Sequence, residues 1–83
     1  MADRSQEVVL YRVDSKRNMA RYYALSIEPS LFGDFLLVRR FGRIRTSERR
    51  KMEPFLSWGE AEVRRARILA EKLRRGYRLS LAT

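Results

Sequence analysis

Arginine and lysine crowd one stretch of the sequence, RRFGRIRTSERRK from Arg39 to Lys51. It holds Arg39, Arg40, Arg43, Arg45, Arg49, Arg50 and Lys51 against a single acid, Glu48. Guanidinium groups pair with phosphate oxygens, and a flat ring stacks on a base or a sugar. The stretch offers both, because Phe41 sits among the arginines. It follows Phe35-Leu36-Leu37-Val38, an apolar run of strand-forming residues. If that strand continues to Arg45, Leu36, Val38, Gly42 and Ile44 fall on one face and Arg39, Phe41, Arg43 and Arg45 on the other. A face alternating cation and ring suits a nucleic acid. A plainer reading of the same residues stands beside it, with Phe41 in the core and the arginines as a solvated edge that discourages strand-to-strand aggregation.

Other chemistry is poorly supplied. The 83 residues include no cysteine and no histidine, which removes disulfides, thiolate metal sites and structural zinc. The commonest general base and the commonest thiol nucleophile go with them. No catalytic residue, metal ligand or cofactor site is expected. A small ribonuclease working with Tyr, Arg and Glu is the enzymatic alternative, yet the spacing forces no such set together. The formal charge of +9 points to a polyanion, whether DNA, RNA or an anionic membrane surface, and does not choose among them. An acidic protein partner is the alternative from a third class. No small-molecule substrate is evident. No apolar run has the length of a signal peptide or a membrane span, so a cytoplasmic protein without membrane contact is expected.

The elements that must carry the basic stretch read as an α+β domain. Glu7–Val13 is a first strand, and Asp14–Asn18 a loop whose basic residues lie near a ligand or simply in solvent. Arg21–Glu28 alternates with Tyr23, Leu25 and Ile27 on one face and forms a second strand. Pro29–Asp34 is a connection of hairpin length into the strand that begins near Phe35. Thr46-Ser47-Glu48 turns the chain into a fourth strand, Arg49–Leu56, which Pro54 confines to an edge or ends. Placed there, Arg49, Arg50 and Lys51 come alongside Arg43 and Arg45. Ser57-Trp58-Gly59-Glu60 has the pattern of a helix N-cap. The helix lays Ala66, Leu69, Ala70 and Leu73 on the sheet, extended by Tyr77 and broadened by Trp58, Ala61 and Val63. Gly76 ends it in the left-handed conformation. The fold is thus an antiparallel four-stranded sheet, five-stranded if the C-terminus adds a strand, with one amphipathic C-terminal helix. Residues 1–6 read as a disordered tail, 7–78 as the domain, and 79–83 as a tail or short strand.

Asn18 with Tyr22-Tyr23-Ala24-Leu25, Leu31-Phe32-Gly33 before an apolar strand, Arg40-Phe41-Gly42-Arg43-Ile44, and a helix from Ser57 that closes on Glu71-Lys72 and Gly76-Tyr77 together resemble the WGR domain. The likeness runs from about Tyr11 to Tyr77 and implies a sheet with a helix in a free-standing bacterial member of that family. It also implies DNA binding near breaks or ends, with Phe41 at the motif tryptophan, Arg43 at the motif arginine and Lys72 as the helix lysine near the backbone. Phe41 keeps a flat apolar face but lacks the indole N–H and part of the stacking area. The residues expected to contact nucleic acid are Arg39, Phe41, Arg43, Arg45, Arg49, Arg50, Lys51 and Lys72. No helix is placed for the major groove, so sequence-specific readout is not expected.

Overall fold

The computed structural model describes residues 7–80; the expected tail at 1–6 and the last three residues of the expected C-terminal segment 79–83 lie outside them. Four strands follow in order, β1 (Val8–Asp14), β2 (Met19–Pro29), β3 (Phe35–Arg43) and β4 (Arg49–Phe55). The helix α1 (Trp58–Arg74) comes next, and then a short β5 (Arg78–Leu79). The sheet is antiparallel with strand order β4-β3-β2-β1-β5, so the four early strands are consecutive neighbours and the chain crosses the sheet through α1 to reach the far edge. Pro54 does sit in an edge strand, opposite Leu36.

Cross-strand partners share a face, and this register decides where the core sits. Leu10, Tyr23, Leu25, Ile27 and Leu37 lie on the helix side and are buried with Ala61 and Ile68 of α1. Leu10, Leu25, Ile27 and Leu37 are fully enclosed. Burial of side chains of this size contributes about 1.5–3 kcal/mol each. Phe35, Phe41, Phe55 and Tyr77 border the cluster. Trp58 anchors the first turn of α1 edge-on to Phe35, with ring centroids 6.0 Å apart. Ser57 caps the helix by accepting from the Glu60 amide at 3.2 Å.

The helix meets the sheet in a different phase from the one expected. Ala61 and Ile68 are buried and Trp58 and Leu69 pack beside them, whereas Val63, Ala66, Ala70 and Leu73 are exposed. The reason is that Arg65 and Lys72 share the inward stripe at helical spacing. A stripe assembled from apolar residues alone rotates away from them. Long cations lay their methylenes along the sheet and send their charged ends to its margin. Arg65 bonds Glu62 there, and Lys72 reaches the groove described below.

Candidate nucleic-acid interface

Where α1 ends, the sheet continues. The uncovered part of the helix-side face, next to the β3–β4 turn, forms an open groove of about 810 Å³. Its cations are Arg21, Arg39, Arg43, Arg49, Lys51 and Lys72; its rings are Tyr22, Tyr23, Phe41 and Tyr77; no carboxylate lines it. Strand register explains the convergence. Arg21 pairs with Arg43, Tyr23 with Phe41, Phe41 with Arg49, and Arg39 with Lys51, all on one face. An adjoining hollow lined by Arg17, Asn18 and Met19 shares Arg21 and Arg43, so the basic surface runs on to the β1–β2 turn. That turn is a single 3-10 turn, Ser15–Arg17, closed by Asn18 in the left-handed conformation at φ 50°.

The helix terminus sets the groove's other wall. Gly76, at φ 97°, donates to the Leu73 carbonyl, and Tyr77 donates to the Lys72 carbonyl, both at 3.1 Å. This pair of bonds is a Schellman motif. It turns the chain so that Tyr77 returns beneath Lys72, whose Nζ stands 4.5 Å from the centre of the Tyr23 ring and 5.6 Å from that of Tyr77. Burial lowers the Lys72 pKa, and the positive fields of Arg75, Arg39 and Arg21 lower it further against the opposing effect of Glu71. Tyr23 in turn stacks on Phe41 with centroids 5.2 Å apart and planes 13° from parallel. One face of Phe41 is therefore spent within the protein. Phe41 thus borders the core and also lines the groove.

Of the eight residues expected to contact nucleic acid, Arg39, Phe41, Arg43, Arg49, Lys51 and Lys72 come together here. Arg45 and Arg50 do not. The strand stops at Arg43 because the chain turns, with Thr46 donating its amide (3.1 Å) and its hydroxyl (2.8 Å) to the Arg43 carbonyl. Arg45 occupies the left-handed position of that turn at φ 71°, off the strand's alternation. Gly42 lets the turn fold back, because a Cβ there would stand 3.0 Å from the Ser47 carbonyl oxygen. Arg50 pairs with Arg40, one step out of phase with Arg49 and Lys51, and so belongs to the opposite face. Arg21, Tyr23 and Tyr77 were missed. The period-two pattern of β2 already placed Arg21 beside Tyr23, but not which residue of β3 lay opposite.

On that opposite face a Tyr–Glu–Arg set does come together, although the spacing in the sequence does not force it. The Tyr22 hydroxyl donates to Glu48 at 2.7 Å, Arg40 lies 3.5 Å from Glu48, and Arg40 also bonds Glu7. The hydrogen bond to Glu48 is the main cause of a raised Tyr22 pKa. Two carboxylates hold the Arg40 guanidinium within the chain, and with Arg50 opposite Arg40 this face carries as many acids as cations. Among the described residues, no group of three or more carboxylate, cysteine or histidine side chains is placed to hold a metal ion, and no helix is long and apolar enough to cross a membrane. Arg39 has one further property. Its Nε is buried without a hydrogen-bond partner, while its terminal nitrogen lies 3.8 Å from Glu53, a carboxylate it shares with Arg64.

Comparison with known proteins bears on the chain's family. The chain is 47% identical over 76 residues to a Sinorhizobium fredii (strain NBRC 101917 / NGR234) protein described as uncharacterized protein y4dW. That alignment takes in 89% of the chain and 37% of the relative, so the chain spans little more than a third of the relative's length. No solved structure matches. The WGR domain, commonly a nucleic-acid-binding module, matches over residues 6–82. By that match, and by the sheet and helix that carry it, this chain belongs to the WGR domain family.

Proposed function

We propose that this chain is a non-catalytic DNA-binding module that holds the phosphodiester backbone in the groove at the end of α1. The observation that carries the reading is six converging cations with no carboxylate among the lining residues. Arg43 and Arg21 face each other across β2 and β3 where the groove meets the adjoining hollow. A phosphate there receives charge-assisted hydrogen bonds from groups that have no competing acid in the groove. Phe41 presents an edge and one remaining face. That suits packing against a sugar at an exposed DNA end better than a base sandwiched flat between rings.

The test is fluorescence anisotropy with a blunt 5′-phosphorylated duplex, the same duplex closed by hairpins, and single-stranded DNA. Occupation by about five phosphates predicts a log–log salt slope of roughly −4 to −5 on duplex DNA. A preference for the open duplex that Phe41→Ala removes supports end recognition. Equal salt-sensitive binding to all three leaves a backbone-binding module without it. Absence of binding at low salt overturns the proposal in favour of an acidic protein partner in the same groove. Incubation with labelled RNA without added metal tests the ribonuclease alternative, for which intact RNA is the expected result.

A further inference from the structure

The solvent side of α1 carries a second apolar stripe that the sheet does not use. Gly59, Val63, Ala66, Ala70 and Leu73 recur at spacings of four, three, four and three, which is the spacing of a helix–helix seam. All five are exposed, Val63 at 55% and Leu73 at 42%. We propose that this face pairs with the same face of a second copy of the chain, the two helices lying antiparallel.

The charges beside the seam identify the occupant. Glu62, Arg64 and Glu71 have ion-pair partners within the chain, in Arg65, Glu53 and Arg75. Glu60 and Arg67, seven residues apart on one flank of the seam, have no ion pair among the described residues. In a two-fold antiparallel arrangement with Val63 against the partner's Ala66, Gly59 meets Ala70 and Glu60 meets Arg67. By symmetry this forms two interchain ion pairs. The complementarity is thus contained in one face, and a second copy supplies its missing half. Small residues at three of the five seam positions let the helix axes approach to the short end of the usual 8–10 Å. Antiparallel packing also sets the helix dipoles head to tail.

The pair is weak and conditional. One helix face buries roughly half of the 800 Å² per partner typical of a stable interface. Each copy also carries +9. Dissociation constants therefore fall near or above the micromolar range, and association tightens as salt or a bound polyanion screens the repulsion between copies. The basic grooves lie at the C-terminal ends of the two helices, so they point to opposite ends of the pair and both stay open.

Sedimentation equilibrium of the full chain from about 10 μM to 1 mM, at moderate salt and without nucleic acid, tests the pairing independently of what the groove binds. Wild type is expected to show a monomer–dimer equilibrium. Glu60→Arg and Arg67→Glu each weaken it roughly tenfold, since each reverses two symmetric contacts, and the double swap restores it. Ala66→Glu, which puts a charge inside the seam, abolishes it. The altered side chains are exposed, so circular dichroism should show an unchanged fold. A wild type that stays monomeric to 1 mM overturns the proposal, and so does a dimer indifferent to Ala66→Glu. Failure of the double swap to rescue overturns the register proposed.

Discussion

The two sides of the β3–β4 pair are built from the same residue types and end with different electrostatics, one strongly positive and one balanced. On the helix side, Arg39, Arg43, Arg49 and Lys51 gather with Arg21 and Lys72 around a groove without a lining carboxylate. On the other side, Arg40 and Arg50 face each other across the strands, and Arg40 is held by Glu7 and Glu48. Seven cations in thirteen residues look like one block of charge in the sequence. Strand alternation divides that block: Glu7 and Glu48 hold Arg40 on one side, while on the other the acid within reach of these cations is Glu53, beside Arg39. The contrast shows that a charge run stays open to an outside anion only where the fold withholds most of its counterions.

The sharpest way to break that contrast is to reverse one charge on each side. Arg43→Glu and Arg50→Glu change the net charge equally, so any effect of the overall field on DNA binding is the same for both. We expect Arg43→Glu to cost about tenfold to a hundredfold in affinity, as losing a charge-assisted contact of roughly 1.5–3 kcal/mol implies. Arg50→Glu should cost a few-fold at most. Anisotropy at one fixed salt concentration separates them, and equal losses would mean that the field, not the groove, governs binding.

Phe41 offers the next largest effect, now on stability. Its ring stacks on Tyr23, so Phe41→Ala removes contacts at the edge of the core. The cost should be about 2–3 kcal/mol, below the 3–5 kcal/mol typical of a fully buried phenylalanine because the groove leaves this ring partly open. Urea unfolding of Phe41→Ala and Phe41→Leu measures it. Phe41→Leu should recover more than half of the stability while leaving DNA-end preference as poor as in Phe41→Ala. If both properties return together, packing alone explains the residue.

How much of this was legible in the sequence follows from which contacts are local. Strand periods, the Ser57 cap and the Gly76 stop depend on neighbours in the chain, and the antiparallel sheet with one helix followed from them. The split between Arg49 and Arg50 depends on the β3–β4 register, which the five residues between the strands do not announce. Arg45 left the face because a positive-φ turn began two residues sooner than the apolar run suggested. The helix phase failed for a different reason. Arg65 and Lys72 face the sheet, and no apolar periodicity can find inward cations.

Lys72 sharpens the comparison through pH. Its folded pKa lies below the usual lysine value of 10.5, chiefly through burial. Between the folded value and 10.5 the unfolded chain binds more protons, so this group makes stability rise with pH across that window. Nucleic acid acts in the other direction. Phosphates favour the ammonium, binding takes up a proton, and affinity should fall as pH rises through the folded Lys72 pKa. Titrations from about pH 7 to 10 at constant ionic strength should show a few-fold loss that Lys72→Arg removes, because arginine stays charged throughout. A slope that survives Lys72→Arg would assign the proton to another group.

The smallest effect concerns the cation that the turn took out of the strand. Arg45 holds a backbone conformation that costs a side-chain-bearing residue roughly 1–2 kcal/mol and glycine nothing, while glycine loses about 0.5–1 kcal/mol in extra chain entropy. Arg45→Gly should therefore raise stability by up to about 1 kcal/mol. Its side chain is exposed and does not line the groove, so DNA affinity should drop no more than loss of one distant charge requires, about twofold at moderate salt. Urea unfolding and anisotropy on the same preparation read both quantities. A variant that is more stable and binds nearly as well would show that position in the fold, and not membership of the basic stretch, decides which arginines serve the groove. A loss matching that of Arg43→Glu would instead mean that the turn closes over bound DNA and carries Arg45 with it.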